Sequence, residues 1–525
     1  MLIKINKSRV LPLFIQVASL IFLYFILYKL FMPRILAFGC FDDCFAISSG
    51  NFLNEGKGLY SDIFYNHQLL LPYLSSWIQN FFNPINVFEL ILRHRQVMLL
   101  LSFVFNLILI LRFRAIALLF AIFYETSKFY FFGDRFLAET LIIYPIIYMA
   151  LLCIQKIRNI PVKNFDYLIV GVFVWFTFFM REPYVPLILF LYLILLIGKG
   201  GAKFKIISVL ITSLLTLITL TLVNINDMYY ALYTFNQQAI INQEYASSNL
   251  LGLGILRIFL YPVIVFIQGE TNFMRYYLIG AVGILLASVF YYFQKFKDLK
   301  LPVFIFISLG LAAIRFVNPG QIFYEAYRQL IWNGLLIISI LSLAFLFKEK
   351  NRKLSFLILS FFSIFWLYLL INKDSYIFSR ADPQFDVVTY YGRYMEIGSV
   401  VKDISDKDDT FFADGAEELL YWSTGLKSSY KYSMYTAQMP SLEKFRKERD
   451  AMFLKSPPDF YYYFCKTDKS PAYHLEKKYR KEYTQLLSTE GKPSCLFVHK
   501  NKLQAISQEK RSKIEEWGYK FPSNI

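Results

Sequence analysis

Two adjacent carboxylates, Asp42 and Asp43, lie shortly after a first apolar run from Leu11 to Met32. Gly58-Leu59-Tyr60-Ser61-Asp62 and His67-Gln68-Leu69-Leu70-Leu71-Pro72 follow them. Keeping a charge beside low dielectric costs free energy, so ionisable groups at a membrane face carry a functional expectation. A carboxylate placed there can take the proton from an attacking hydroxyl. The same pair also reads as a solvated or capping acid pair at a helix start.

Other charges gather at the ends of later apolar runs. Gly133-Asp134-Arg135 is followed one turn later by Glu139. Arg181-Glu182-Pro183, Arg315 and Tyr324-Glu325-Ala326-Tyr327-Arg328 lie at comparable places. Arginine suits phosphate because its planar fork donates two parallel hydrogen bonds. Arg315 and Arg328 rank first, since two cations would converge in one loop. Against these roles stand a plain span-linking turn for 133–139 and arginines that snorkel to headgroups. His67 is a candidate for phosphate or acceptor binding, or a structural interfacial histidine.

Five cysteines show neither a zinc-type double pair nor a redox C-x-x-C. Cys40 and Cys44 flank the acids in a Cys-x-x-Asp-Cys arrangement that could hold a metal, but free thiols are the expectation, and no metal or cofactor is assigned. Cys465 and Cys495, on expected strands, could form a disulfide outside the cytoplasm.

Apolar helices must position these groups. The 525 residues are 56% hydrophobic, 19% aromatic and 18% charged, which excludes an ordinary soluble globule and fits a polytopic membrane protein. The net charge of +17 does not indicate nucleic acid, because the basic residues fall in short clusters between apolar runs. The run from Leu11 to Met32 is too long for a signal peptide and reads as an uncleaved span.

Eleven spans are expected, near 11–32, 93–111, 115–132, 136–154, 165–180, 184–198, 206–223, 276–293, 301–317, 329–347 and 354–371. Basic clusters such as Lys4/Lys7/Arg9, Arg112/Arg114, Lys156/Arg158/Lys163 and Lys348/Lys350/Arg352/Lys353 then share the N-terminal side, which the positive-inside rule makes cytoplasmic. His67 to Phe82 and Leu250 to Ile267 read as interfacial or re-entrant; if both crossed, there would be thirteen spans with the same outcome. Residues 41–55 are expected as an interfacial helix. Its stripe of Phe41, Phe45, Ser48 and Phe52 would be apolar, with both acids turned away from lipid.

These readings divide the chain into a transmembrane domain, 1–372, and a soluble extracytoplasmic α/β domain, 373–525. In the tail, strands are expected at 409–413, 460–465 and 495–499, and helices at 415–422, 441–455 and 474–488, so the strands should be partly parallel.

Over roughly 40–75 the sequence resembles the polyprenyl-phosphate-sugar-dependent glycosyltransferases of the C-type membrane fold (glycosyltransferase family 39-like), close to protein O-mannosyltransferases and aminoarabinose lipid A transferases. The match rests on Asp42-Asp43, Gly58-Leu59-Tyr60-Ser61-Asp62 and His67-Gln68-Leu69-Leu70, without the family's double proline at 68–69. In the tail, Leu420-Tyr421-Trp422-Ser423-Thr424-Gly425 and Ser429-Tyr430-Lys431-Tyr432 resemble a recurring Tyr-x-x-Ser-Gly and Arg-Tyr-x-Tyr stretch. The resemblance implies inverting sugar transfer from a polyprenyl phosphate to a lipid-linked glycan, polysaccharide or protein at the outer face of a membrane, a bacterial inner membrane foremost. It implies Asp42 as general base, Asp43 as its helper and a second acid at Asp134.

The rival readings are a transporter or flippase of lipid-linked sugars and a non-catalytic polysaccharide-assembly protein. Against the former, neither an internal repeat nor a mid-span charge is expected. Against the latter, the acidic pair is present. An oligosaccharyltransferase is disfavoured because the tail lacks a Trp-Trp-Asp signature.

Overall fold

The computed structural model describes residues 7–40, 42–198, 201–238, 272–314, 326–371, 383–415, 419–436, 439–463 and 475–522. The chain is 73% helical, with a small C-terminal sheet. Its first helices are α1 (Lys7–Phe31), α2 (Asp42–Asn54), α3 (Leu70–Phe82), α4 (Val87–Phe113), α5 (Ala115–Ser127), α6 (Ala138–Ile157), α7 (Asn164–Met180), α8 (Val185–Leu196), α9 (Ala202–Leu220) and α10 (Ile225–Tyr229). Then come α11 (Asn272–Phe296), α12 (Lys300–Ala312), α13 (Leu330–Lys348), α14 (Arg352–Ile371) and α15 (Pro383–Ile404). The tail holds α16 (Leu419–Thr424), α17 (Glu443–Lys455), α18 (Lys477–Arg480), α19 (Lys500–Ala505) and α20 (Gln508–Glu516). Its strands are β1 (Thr410–Asp414), β2 (Lys427–Ser428), β3 (Phe460–Tyr463), β4 (Tyr483–Ser488), β5 (Pro493–His499) and β6 (Tyr519–Lys520).

Contacts divide the chain into two compact units. One gathers Met1–Ile35, Arg95–Thr219 and Asn249–Ala381; the other gathers Leu36–His94, Leu220–Ser248 and Asp382–Ile525. The first is the helical unit. The second joins the first loop to the tail, so we call it the loop–tail unit.

Each of the eleven expected spans coincides with a helix, but seven helices among the described residues are long and apolar enough to cross a membrane. Helices α5, α7, α8 and α12 have 13, 17, 12 and 13 residues. At 1.5 Å per residue they reach about 18–26 Å, short of a ~30 Å hydrocarbon core. Sharp backbone turns shorten α5: Arg114 before it has φ +63°, and Phe132, after a 3₁₀ turn at Lys128–Phe131, has φ +53°.

The helical unit is centred on α13, whose side chains are nearly all buried. Gly334 permits this packing, because a Cβ there would lie 2.4 Å from Ile143 Cδ1 of α6. The two helices can therefore approach closely with no side chain between them.

In the loop–tail unit, α2 forms where expected, but its stripe does not face outward. Ser48 and Phe52 are fully buried, and Phe45 is half-buried; Phe41 lies outside the described residues. Helix α3 covers α2 closely at Gly50, where a Cβ would meet Ser75 Oγ at 2.5 Å, and Phe52 packs edge-on against Tyr421 of α16 with centroids 5.3 Å apart. With 13 residues, α3 is a short helix rather than a span. The stretch Leu250 to Ile267 lies outside the described residues.

The sheet order is β2-β1-β3-β5-β4-β6. Strand β1 runs parallel to β2 and β3, and the remaining pairs are antiparallel, so the expected mixture of directions is present. The helix expected at 474–488 is corrected: α18 ends at Arg480 and the chain continues as β4, with Thr484 opposite Val498 and Gln485 opposite Phe497 of β5. Cross-strand pairing outweighs the local pattern there. Helices α15, α19 and α20 and strand β6 were not legible from the pattern.

Candidate active site

Asp42 is the first residue of α2 and is exposed, whereas Asp43 beside it is completely buried. The positive end of the helix dipole favours an anion at Asp42. Cys40 and Cys44 form a disulfide with Cα atoms 5.5 Å apart, closing a short ring around the acidic pair. This corrects the expectation of free thiols. Their sulfurs and the Asp43 carboxylate are close enough to share a metal ion, but in the disulfide neither sulfur is a thiolate ligand.

Behind the pair, Phe45 packs on Tyr65 at 5.0 Å and edge-on against His67 at 6.4 Å. His67 is half-buried, and its carbonyl accepts the Tyr60 hydroxyl at 2.8 Å. Asp62 accepts the Gly58 N–H at 2.9 Å, closing the turn in which Tyr60 holds φ +71°. Tyr60 and Asp62 therefore shape this loop.

The same turn is hydrogen-bonded to the tail. Phe64 N–H donates to the Tyr432 carbonyl at 2.8 Å, and Ser433 Oγ donates to the Asp62 carbonyl at 2.7 Å. Lys57 Nζ donates to Ser433 Oγ at 3.0 Å and lies 4.6 Å from the Phe52 ring centroid. Burial pushes the Lys57 amine down and the neighbouring Glu55 carboxyl up, and their mutual attraction opposes both shifts. The two stretches singled out in the sequence, 58–62 and 429–432, thus meet in one unit. Tyr430 itself is structural, its hydroxyl donating to the Phe445 carbonyl at 3.2 Å.

The other described candidates belong to the helical unit. Asp134 and Arg135 form a buried ion pair at 3.6 Å, and Glu139 pairs with Arg181 at 3.1 Å. Arg181 occupies the extended break between α7 and the short 3₁₀ turn before α8. Arg328 is half-buried, and its carbonyl accepts the Tyr184 hydroxyl at 3.3 Å. Arg315 and Tyr324 lie outside the described residues. Cys495 is disulfide-bonded, while Cys465, its expected partner, also lies outside them.

Several buried charges among the described residues escaped the sequence reading, Arg95 and the Asp166 partner of Arg112 among them. Glu125 and Lys128 form an ion pair at 2.6 Å with side chains 0% and 2% exposed, which corrects the expectation of no charge within the spans. Glu125 also accepts the Tyr144 hydroxyl at 2.7 Å and an Asn106 N–H at 2.8 Å, and Lys128 donates to Ser102 at 3.1 Å. The Glu-x-x-Lys spacing in an otherwise apolar run was the available signal. In the tail, Asp414 at the end of β1 pairs with Arg449 of α17 and accepts the Tyr461 hydroxyl at 2.8 Å.

Compared with protein-family models, curated proteins and solved structures, the chain matches none of them.

Proposed function

We propose that this chain is an integral-membrane glycosyltransferase that moves a sugar from a polyprenyl phosphate to a cell-envelope acceptor on the outer membrane face. The observation that carries the reading is the exposed carboxylate of Asp42 beside the buried Asp43, held in the same unit as the joined 58–62 and 432–433 segments. An acceptor hydroxyl attacks the anomeric carbon opposite the phosphate, and the new C–O bond forms as the bond to phosphate breaks. Asp42 takes the hydroxyl proton, and the phosphate leaves with the bonding electrons, so configuration inverts. Asp43 orients Asp42 or the acceptor. The leaving phosphate needs cations, and Arg135, Arg181, Arg315 and Arg328 are the sequence's candidates; Asp134 is the candidate second acid, and His67, Glu139 and Tyr324 are the other candidate substrate-binding residues.

The reading carries a topology: N-terminus cytoplasmic and tail extracytoplasmic, as the basic clusters require. Disulfides at Cys40–Cys44 and Cys495 suit an oxidising compartment. The chain's partners in this reading are the lipid-phosphate sugar, the acceptor and membrane lipids.

A transporter of lipid-linked sugars is the second reading, and the Glu125–Lys128 pair buried within the apolar helical unit favours it, because ionisable groups in such surroundings mark substrate or ion paths. Purified protein in liposomes, given a radiolabelled polyprenyl-phosphate sugar and an acceptor glycan, tests both. New glycosidic product with release of polyprenyl phosphate supports transfer. Movement of the intact lipid between leaflets, with no product, supports transport and refutes transfer. Glycan profiles of cells with and without the gene would then identify the acceptor.

A further inference from the structure

We propose that the loop–tail unit carries an aromatic surface that seats in the interfacial region of a phospholipid bilayer, formed by Trp77, Phe81, Ile85, Ile225, Tyr229 and Tyr233. This inference goes beyond the glycosyltransferase reading and does not depend on it.

Helix α3 leaves large rings outside. It buries Leu71, Pro72, Ser75, Ile78 and Gln79, while Trp77 is 55% and Phe81 65% exposed. The buried polar groups are satisfied internally. Gln79 donates to the Ile47 carbonyl at 2.8 Å; His94 Nδ1–H donates to the Leu90 carbonyl at 2.7 Å, and its Nε2 shares a 2.8 Å hydrogen bond with Ser75 Oγ. Large aromatic rings on the exposed side differ from the polar face that a helix turns to water. Ile85, just beyond α3, is 83% exposed.

A second apolar face is tied to this helix by a hydrogen bond. The Tyr73 hydroxyl of α3 donates to the Leu222 carbonyl at 3.1 Å, joining α3 to the segment that enters α10. There Met228, Ala231 and Phe235 are buried, while Ile225, Tyr229 and Tyr233 are 59%, 61% and 56% exposed. The turn following α10, Tyr230–Phe235, is a π-helix. Both faces present a stacked pair four residues apart: Trp77 on Phe81 and Tyr229 on Tyr233, each with centroids 5.4 Å apart. Exposed apolar surface of this kind marks an interaction site. Trp and Tyr with a wet polar tip are the residues enriched at membrane interfaces.

Chain length points to the bilayer as the occupant. Ile85 stands just before Val87, where α4 begins, and Ile225 closely follows Leu220, where α9 ends; α4 and α9 are both long and apolar enough to cross a membrane. At no more than ~3.6 Å per residue, the link from α9 to Ile225 reaches ~18 Å. Along α9, Leu214, Leu217 and Ile218 are 59%, 63% and 53% exposed, and Leu222 beyond it is 51% exposed. Both parts of the proposed surface thus lie within a few residues, along the chain, of helices able to cross a membrane.

The test is nitroxide labelling of Phe81→Cys and Tyr229→Cys, each in full-length Cys153→Ala protein reconstituted in phosphatidylcholine/phosphatidylglycerol liposomes. Leu454→Cys on α17, where Leu454 is 73% exposed, is the control. At positions 81 and 229, collision with dissolved oxygen should exceed collision with a water-soluble nickel chelate by several-fold, with the reverse at 454. Trp77 fluorescence, isolated by difference against Trp77→Phe, should be quenched by brominated lipid. Nickel accessibility at 81 and 229 equal to that at 454 would overturn the proposal. Dipolar broadening between labels on two molecules would assign the surface to a second copy and overturn the lipid assignment. Labels reached by neither reagent would assign it to protein contact, with the same consequence.

Discussion

Ser433 Oγ donates a 2.7 Å hydrogen bond to the backbone carbonyl of Asp62, joining residues 371 positions apart in the chain. Ser433 is fully buried, holds φ +63° and also receives the Lys57 amine. Through this residue the tail fixes the loop that follows the acidic pair.

Ser433→Ala should therefore lower stability by about 0.5–1.5 kcal/mol, the net worth of a hydrogen bond whose partners water can partly reach. Ser433→Gly loses the same hydroxyl but relieves the left-handed backbone, so it should be the less destabilising of the two. Thermal unfolding of both variants in detergent checks the order. Equal melting temperatures for the two variants and the native protein would show that the link is not a fastener.

Much of this arrangement was legible from residue patterns. Apolar runs located a helix at each of the eleven expected spans, because hydropathy is a strong local signal, although seven of the described helices are long and apolar enough to cross. It was weaker at their ends: α5 ends at Ser127 because the chain turns into a 3₁₀ segment and reverses at Phe132, a decision made by packing. Strand β4 was misread because Tyr483–Ser488 becomes a strand through its pairing with β5, which no local window contains. The acidic pair was found, but the contrast between exposed Asp42 and buried Asp43 was not, since α3 and α16 bury α2 on faces that helical spacing alone cannot distinguish. The meeting of Asp62 with Ser433 was equally invisible, as nothing in spacing reports a contact over that separation.

Glu125 and Lys128 make a second prediction. Removing one member of a buried ion pair strands the other charge, at about 3–5 kcal/mol, whereas replacing both with neutral groups removes the desolvation problem. Glu125→Gln and Lys128→Met should each unfold at lower temperature than native protein, and the double variant should recover part of that loss. Additive losses in the double variant would show that the two side chains act independently.

The tail should lose stability in acid. Hydrogen bonds from Lys502 and Lys510 hold the Asp406 carboxyl at about 2. Because the folded value lies below the unfolded ~3.9, the stabilisation is fully present above that unfolded value and is lost as pH falls toward 2. Asp406 is largely exposed, so screening keeps the effect small. Lys502→Met should flatten the pH dependence between 4 and 2, followed by tail tryptophan fluorescence. An unchanged acid profile in the variant would show that this ion pair contributes nothing to the acid response.

Asp42 carries the central claim. A general base must be ionised to accept a proton, and an isosteric amide keeps its shape without that capacity. The decisive measurement is the rate of sugar transfer from a polyprenyl phosphate by purified Asp42→Asn, with lipid-donor binding measured on the same preparation. Turnover should fall by roughly 10²–10⁴-fold with binding retained, and Asp43→Asn should cost less. Near-native transfer by Asp42→Asn, with Asp43→Asn or Asp134→Asn inactive, would contradict the assignment of the base, and activity in all three would contradict the carboxylate mechanism itself.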